Sequence, residues 1–174
     1  MLKRFLVVII CVLPFTIKGQ SSENTDSEKV ESHKAYHSHV ALFLGSTTFY
    51  KNDKSYFSVG ADYVYRPNPE KPWAYSIIGE VIFAEHTEFV IALPVYYHLI
   101  SHWWMRAGPG MEIIQEEEHH GDEVETKTHL EFLFRIGTGY AFHVGRIVLT
   151  PSVDIDFVRN NDALVWGLNI GYSF

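Results

Sequence analysis

From residue 128 onward the chain alternates almost without a break. Leu130, Phe132, Phe134, Ile136, Tyr140, Phe142 and Val144 share one side of a two-residue period, and His129, Glu131, Arg135, Gly137, Gly139, Ala141 and His143 share the other. That period belongs to a strand, because successive side chains of an extended chain point to opposite faces. The following segment sets Ile147, Leu149, Val153, Ile155 and Phe157 against Thr150, Ser152, Asp154 and Asp156. Upstream, Trp103, Met105, Met111 and Ile113 oppose Arg106, Gly108, Gly110 and Glu112, and Trp73, Tyr75, Ile77, Val81 and Phe83 oppose Ser76, Glu80 and Ala84. The last residues repeat the pattern, with Leu164, Trp166, Leu168, Ile170, Tyr172 and Phe174 at every second position. The spacing predicts eight strands, over 38–49, 56–66, 73–84, 88–99, 103–115, 128–143, 146–158 and 163–174. Between them lie KNDKS, PNPEK, EHT, ISH, EEEHHGDEVETK, VG and NND, each rich in residues that turn or solvate a chain. No helical periodicity competes after the first residues, so the expected fold is all-β: an eight-stranded antiparallel up-and-down barrel. In the first predicted strand the alternation is too weak to choose a face.

Alternation alone fits two opposite objects. A lipocalin-type soluble barrel turns its apolar face inward around a ligand, whereas a transmembrane barrel turns it outward into lipid. Residue size separates the two. The polar set mixes charges with Gly60, Gly108, Gly110, Gly137, Gly139, Gly167 and Gly171, which suits a crowded lumen, while the apolar set is nearly all bulky. Numbering strands alternately up and down also brings Tyr63, Tyr65, Trp73, Tyr75, Tyr97, Trp103, Tyr140, Phe142, Tyr172 and Phe174 to one end of the apolar face. Amphipathic rings collect in this way at a membrane interface. A looser band of Phe57, Phe83, Phe89, Phe132 and Trp166 marks the opposite end. Strands of roughly ten residues, tilted, match the hydrocarbon thickness.

The N-terminus agrees with export. Lys3 and Arg4 precede an apolar run from Phe5 to Phe15 and a polar exit, the layout of a secretory signal peptide. The expected division is a signal peptide over 1–20, a polar, flexible lead-in over 21–36 and a barrel domain over 37–174. The single cysteine, Cys11, lies in the signal, so the mature chain is expected to lack disulfides and thiolate metal sites. Of 14 basic and 21 acidic side chains, removal of Lys3, Arg4 and Lys18 leaves 11 basic, a net charge of −10 with His neutral. That sign argues against nucleic acid as a partner.

With the signal, the eight strands and the terminal GYSF together, the chain after the lead-in resembles the small outer-membrane β-barrel domains of Gram-negative bacteria, the OmpA/OmpX-like porin-family type. In that family a final strand of alternating aromatics ending in Phe is read by the barrel assembly machinery; Trp166, Leu168, Ile170, Tyr172 and Phe174 match it. The resemblance implies residence in the outer membrane among phospholipid and lipopolysaccharide, with both termini periplasmic, short turns on that side and longer loops outside. The turn RPNPEKP is long for the periplasmic side.

Inward positions are expected to collect Asp62, Glu80, Arg106, Glu112, Glu131, Arg135, Asp154 and Asp156, with Arg135 opposite Asp154 or Asp156. An eight-stranded barrel is just wide enough for side chains to fill, and isolated ions in low dielectric are costly. A salt-bridged plug is therefore preferred to a gated ion path. The segment around Glu117, His119, His120 and Asp122 offers oxygen and imidazole donors for a divalent cation, yet its spacing matches no fixed metal motif, and a solvated anionic surface loop is preferred. His37, Ser38 and His39, and Ser101 with His102, do not assemble into a catalytic triad by spacing. The sequence thus points to a barrel without enzymatic activity or cofactor, serving envelope integrity or surface interaction. A soluble lipocalin-like binder and a lipid-modifying barrel enzyme are the alternatives.

Overall fold

Alternating strands that each carry one apolar face can satisfy every backbone group in a membrane only by closing on themselves, and closure is what the computed structural model of this chain has. The structure describes residues 38–68, 70–99, 102–120, 123–159 and 161–174. Strands β1 (Ser38–Phe49), β2 (Lys54–Tyr65) and β3 (Trp73–Phe83) are followed by β4, made of Thr87–Ala92 and Val95–His98. Then come β5 (Trp103–His120), β6 (Glu123–Tyr140, continuing as Phe142–Val144), β7 (Ile147–Val158) and β8 (Ala163–Ser173). Sequential strands pair antiparallel, and β1 pairs with both β2 and β8. The result is a closed eight-stranded barrel, as the alternation predicts. The expected signal peptide, the lead-in and His37 lie outside the described residues.

The seam runs from His39↔Ser173 to Phe49↔Ala163. It is tied off where the chain stops: Phe174 N–H donates to the Ser38 carbonyl at 3.0 Å, and Ser38 N–H to the Phe174 carbonyl at 3.3 Å. The terminal residue thus closes the ladder with its backbone while its ring stays outside. We call this the terminal end, and the opposite one, with the β1–β2, β3–β4, β5–β6 and β7–β8 connections, the hairpin end.

Two local features shape the wall. Pro94 has no N–H to give the ladder, and β4 breaks there; Ser76 N–H still reaches the Pro94 carbonyl at 3.0 Å, and Leu93 N–H the Pro109 carbonyl at 2.9 Å. Gly108 faces this break, where a Cβ would stand 2.5 Å from the Leu93 oxygen. At the terminal end, Gly145 turns the chain between β6 and β7 with φ of 64°, the backbone that a two-residue hairpin needs.

The faces divide as expected of a membrane barrel. Trp73 is 50% exposed and Phe134 43%, whereas Glu80 and Arg135 are buried. A lipocalin-like barrel has the reverse arrangement. The lumen nevertheless holds more bulk than small and ionised residues alone. Phe49, Ile82, Val90, Leu133, Val158 and Ala163 form an inward apolar cluster at the hairpin end, and Val64, Ala74, Tyr96 and Trp104 form a second towards the terminal end. In β1 the inward face is Ala41, Phe43, Thr47 and Phe49, while Val40, Leu42 and Leu44 turn outward, so bulky apolar residues fall on both faces and blur the alternation.

The segment expected to be a long loop is a correction. Glu116–His120 and Glu123–Lys127 continue the β5–β6 ladder, from Glu116↔Lys127 to His120↔Glu123. Pairing of β5 to β4 stops at Ile114, and of β6 to β7 at Leu133. The hairpin therefore extends past the barrel wall as a two-stranded ribbon. Polar composition concealed this, because charged and Thr residues read as loop while a ladder needs only backbone.

Candidate functional site

Between the two apolar clusters lies a belt of buried charge built around two arginines. Arg106 projects from β5, and its strand-to-strand neighbours are Gly137 on β6 and then Asp154 on β7. Because Gly137 has no side chain, the guanidinium reaches across β6 to Asp154 with a bidentate bond, Nε to Oδ1 at 2.6 Å and Nη2 to Oδ2 at 2.7 Å. A Cβ on Gly137 would lie 1.7 Å from that Oδ1. Nη1 donates to Asp62 Oδ2 at 3.2 Å and to the Tyr96 hydroxyl at 2.5 Å. Asp62 is further held by Ser76 Oγ and by the Tyr96 hydroxyl, each at 2.6 Å. The guanidinium also stacks against aromatic faces, its carbon 5.2 Å from the Trp104 ring centre and 5.5 Å from that of Tyr96.

Arg135 projects from β6 and completes a second clamp. It pairs in register with Asp156 on β7, donating from Nε to Oδ1 and from Nη2 to Oδ2, both at 2.6 Å. Nη2 also crosses the lumen to Glu80 Oε2 on β3 at 2.9 Å. Thr47 on β1 donates to the other Glu80 oxygen at 3.2 Å and lies at the same distance from Ser58 Oγ on β2. Arg135 is only 1% exposed, so the whole charge is carried by these bonds. Of the two partners expected for it, Asp156 is the one bonded; Asp154 belongs to Arg106.

The arrangement is a set of crossbars. Arg106 ties β5 to β2 and β7, and Arg135 ties β6 to β3 and β7. Asn169 on β8 adds a bond to Ser152 Oγ at 2.9 Å. The gap left between Phe43, Asp62, Glu80, Arg106, Arg135 and Asn169 is of the order of one water molecule.

Six of the eight sequence-predicted interior charges, Asp62, Glu80, Arg106, Arg135, Asp154 and Asp156, meet in these clamps. Glu112 and Glu131 do not join them in this way: they face one another across β5 and β6, nearer the hairpin end, where Glu112 lies in register with Val90 of β4. Sequence reasoning missed Thr47, Ser58, Ser76, Tyr96, Trp104 and Asn169. Each sits on a strand where a charged residue or a glycine of the same parity, Gly45 in the case of Thr47, marks the inward face, and that signal could have found them. Of the weak metal candidates, Glu117, His119 and His120 belong to the extended ladder, while their side chains and all of Asp122 lie outside what is described. Among the described residues no group of three or more His, Cys, Asp or Glu has the geometry to hold a metal ion.

The aromatics expected as a girdle are exposed at the terminal end: Tyr63, Tyr65, Trp73, Tyr75, Tyr97, Trp103, Tyr140, Tyr172 and Phe174. Trp73 and Tyr97, paired across β3 and β4, pack edge to face at 4.6 Å. At the hairpin end Phe57 and Phe83 stack at 6.0 Å.

The sequence matches no family model and no curated protein. Solved structures do share its fold. The N-terminal β-barrel domain of Pseudomonas aeruginosa OprF superposes with a TM-score of 0.56 at 12% identity, over 80% of this chain and 98% of that one. Ail, the attachment invasion locus protein of Yersinia pestis, solved with the heparin analogue sucrose octasulfate, gives 0.58 at 13%, over 79% and 97%. Neisserial surface protein A gives 0.53 at 12%, over 80% and 97%. The chain has the fold of the small, eight-stranded outer-membrane barrels.

Proposed function

We propose that the chain is a non-enzymatic outer-membrane barrel whose lumen is closed by the two arginine clamps, and that it serves envelope integrity or surface interaction. The observation that carries this is the pairing of an outward apolar wall with a lumen cross-bolted at Arg106 and Arg135. Buried ion pairs of this geometry resist removal of either partner, so they favour a permanent strut over a gate. In this reading the termini face the periplasm, the outward aromatics sit at the headgroup level, the barrel assembly machinery reads the last strand, and outer-membrane lipid and lipopolysaccharide are its surroundings. Reconstitution into planar bilayers tests the closure. No steady conductance is expected from the wild-type protein, and resolved conductance steps would overturn the strut. Lipid A mass spectra with and without the protein are expected to be identical.

The hairpin favours one kind of surface partner. Glu116, Glu117, Glu118, Asp122, Glu123 and Glu125 outnumber Lys127 there, a charge opposite in sign to what a sulfated sugar such as the one bound by Ail requires. A surface partner is therefore cationic in this reading, either a basic protein segment or divalent ions that bridge to lipopolysaccharide phosphates. Binding of a polylysine peptide that salt abolishes is the expected result.

A further inference from the structure

The two clamps are neighbours on the wall, their β7 acids Asp154 and Asp156 standing on the same face one alternation apart. They are nevertheless separate bonded sets. Arg106 gathers Asp154, Asp62 and Tyr96, and Arg135 gathers Asp156 and Glu80. Among the described residues no hydrogen bond or ion pair runs from one set to the other. What lies between them is the gap, which Asp62, Glu80, Arg106, Arg135 and Asn169 line and which Val165 closes from β8. Each of these side chains is buried.

The walls of the gap carry hydrogen-bonding capacity that the clamps leave unused. Arg135 spends Nε and Nη2 on its two acids, and its Nη1 donates to no acceptor among the described residues. On the other side of the same clamp, Glu80 Oε1 has only Thr47 Oγ1 at 3.2 Å, and that hydroxyl is equally far from Ser58 Oγ. A threonine hydroxyl has one proton to give, so it serves one of these oxygens at a time. The belt also sets two guanidiniums against four carboxylates, so whatever fills the gap must donate to oxygen as well as accept from Arg135. A metal ion cannot accept from a guanidinium, and an anion cannot donate to a carboxylate. Water does both, and a buried water is held by about three such bonds.

We propose that the gap is a binding site for one water molecule, which accepts from Arg135 and donates to the carboxylates of both clamps, so that the two clamps act as one network. The site depends on clamp geometry alone. Conductance in planar bilayers would defeat the closed-lumen reading and leave it standing.

Crystals of the detergent-solubilised protein are expected to show one ordered water within about 3 Å of Arg135 Nη1 and of a carboxylate oxygen from the Arg106 clamp. A gap without density, or Arg135 Nη1 bonded directly to a protein acceptor, overturns the proposal. Coupling is read from variants that leave every charge in place. Ser76→Ala loosens Asp62 in one clamp and Thr47→Val loosens Glu80 in the other. The unfolding constant of the double variant is expected to depart at least about threefold from the product of the single effects, since residues that share a network are not additive. Val165→Ile, checked for heat-modifiable migration and for loss of the water in its own crystals, adds a methyl group to the gap and is expected to restore additivity to within about twofold. Additive effects in the wild-type background, or a departure that persists once Val165→Ile has displaced the water, also overturn the proposal.

Discussion

The clamps and the β5–β6 ribbon are made from the same kinds of residue, yet they stand in opposite conditions. In the lumen, Glu80, Asp62, Asp154 and Asp156 are held by guanidinium donors arriving from strands on other sides of the barrel. Past the wall, Glu116, Glu117 and Glu118 sit on a ladder that pairs β5 only with β6. The difference teaches that closure, and not composition, decides whether an acid is structural. Where walls surround a carboxylate, losing its partner leaves an ion in low dielectric; where water surrounds it, the same loss is screened.

The largest expected effect is therefore in the belt. Arg135→Leu leaves Glu80 and Asp156 buried without their cation, and unfolding followed by heat-modifiable migration should show a loss of about 3–5 kcal/mol. Replacing Arg135, Glu80 and Asp156 together by apolar residues should recover most of that loss; a triple variant as weak as the single one would mean that the ions matter for more than mutual compensation. Next comes Gly137→Ala, whose methyl group collides with Asp154 and displaces it from Arg106, costing about 1–3 kcal/mol in the same assay. Shortening the ribbon by removing residues 116–127 and joining the strands through Asn-Gly should alter stability by less than about 0.5 kcal/mol while abolishing polylysine binding. A ribbon deletion as damaging as Arg135→Leu would erase the contrast.

The smallest effect belongs to the exposed ion pair between Lys54 and Glu85 at the hairpin end. Its hydrogen bond and charge hold the Glu85 carboxyl below the ordinary glutamate value. A lowered acid contributes stability above its unfolded value and loses it as pH falls through the folded one. Lys54→Ala should therefore leave the unfolding midpoint unchanged within error at neutral pH, and remove only a faint softening between the ordinary glutamate range and lower pH.

Much of this was legible in the residues. Period-two alternation in β3, β5, β6 and β7 identified the strands and, with residue size, the lipid-facing side. β1 was not legible, since Phe43 and Phe49 turn inward while Leu42 and Leu44 turn outward; a pattern cannot rank two apolar faces. The interior apolar residues were passed over for the same reason: Leu133 shares parity with Arg135 and is buried, yet the pattern reading assigned it to neither face. The ribbon escaped because backbone pairing leaves no trace in side-chain polarity. Arg135 was expected to meet a β7 acid, and it does, because adjacent strands hold a local register across a tight turn.

The order of apolar and polar residues determined the strands, their number and, outside β1, the face turned to lipid, because those depend only on a period of two and on what a bilayer tolerates. The tertiary structure alone decided which carboxylate each arginine takes and that Gly137 opens the route from Arg106 to Asp154. Contacts across a lumen depend on barrel width and on the stagger between distant strands, and neither quantity is written in any local stretch of sequence.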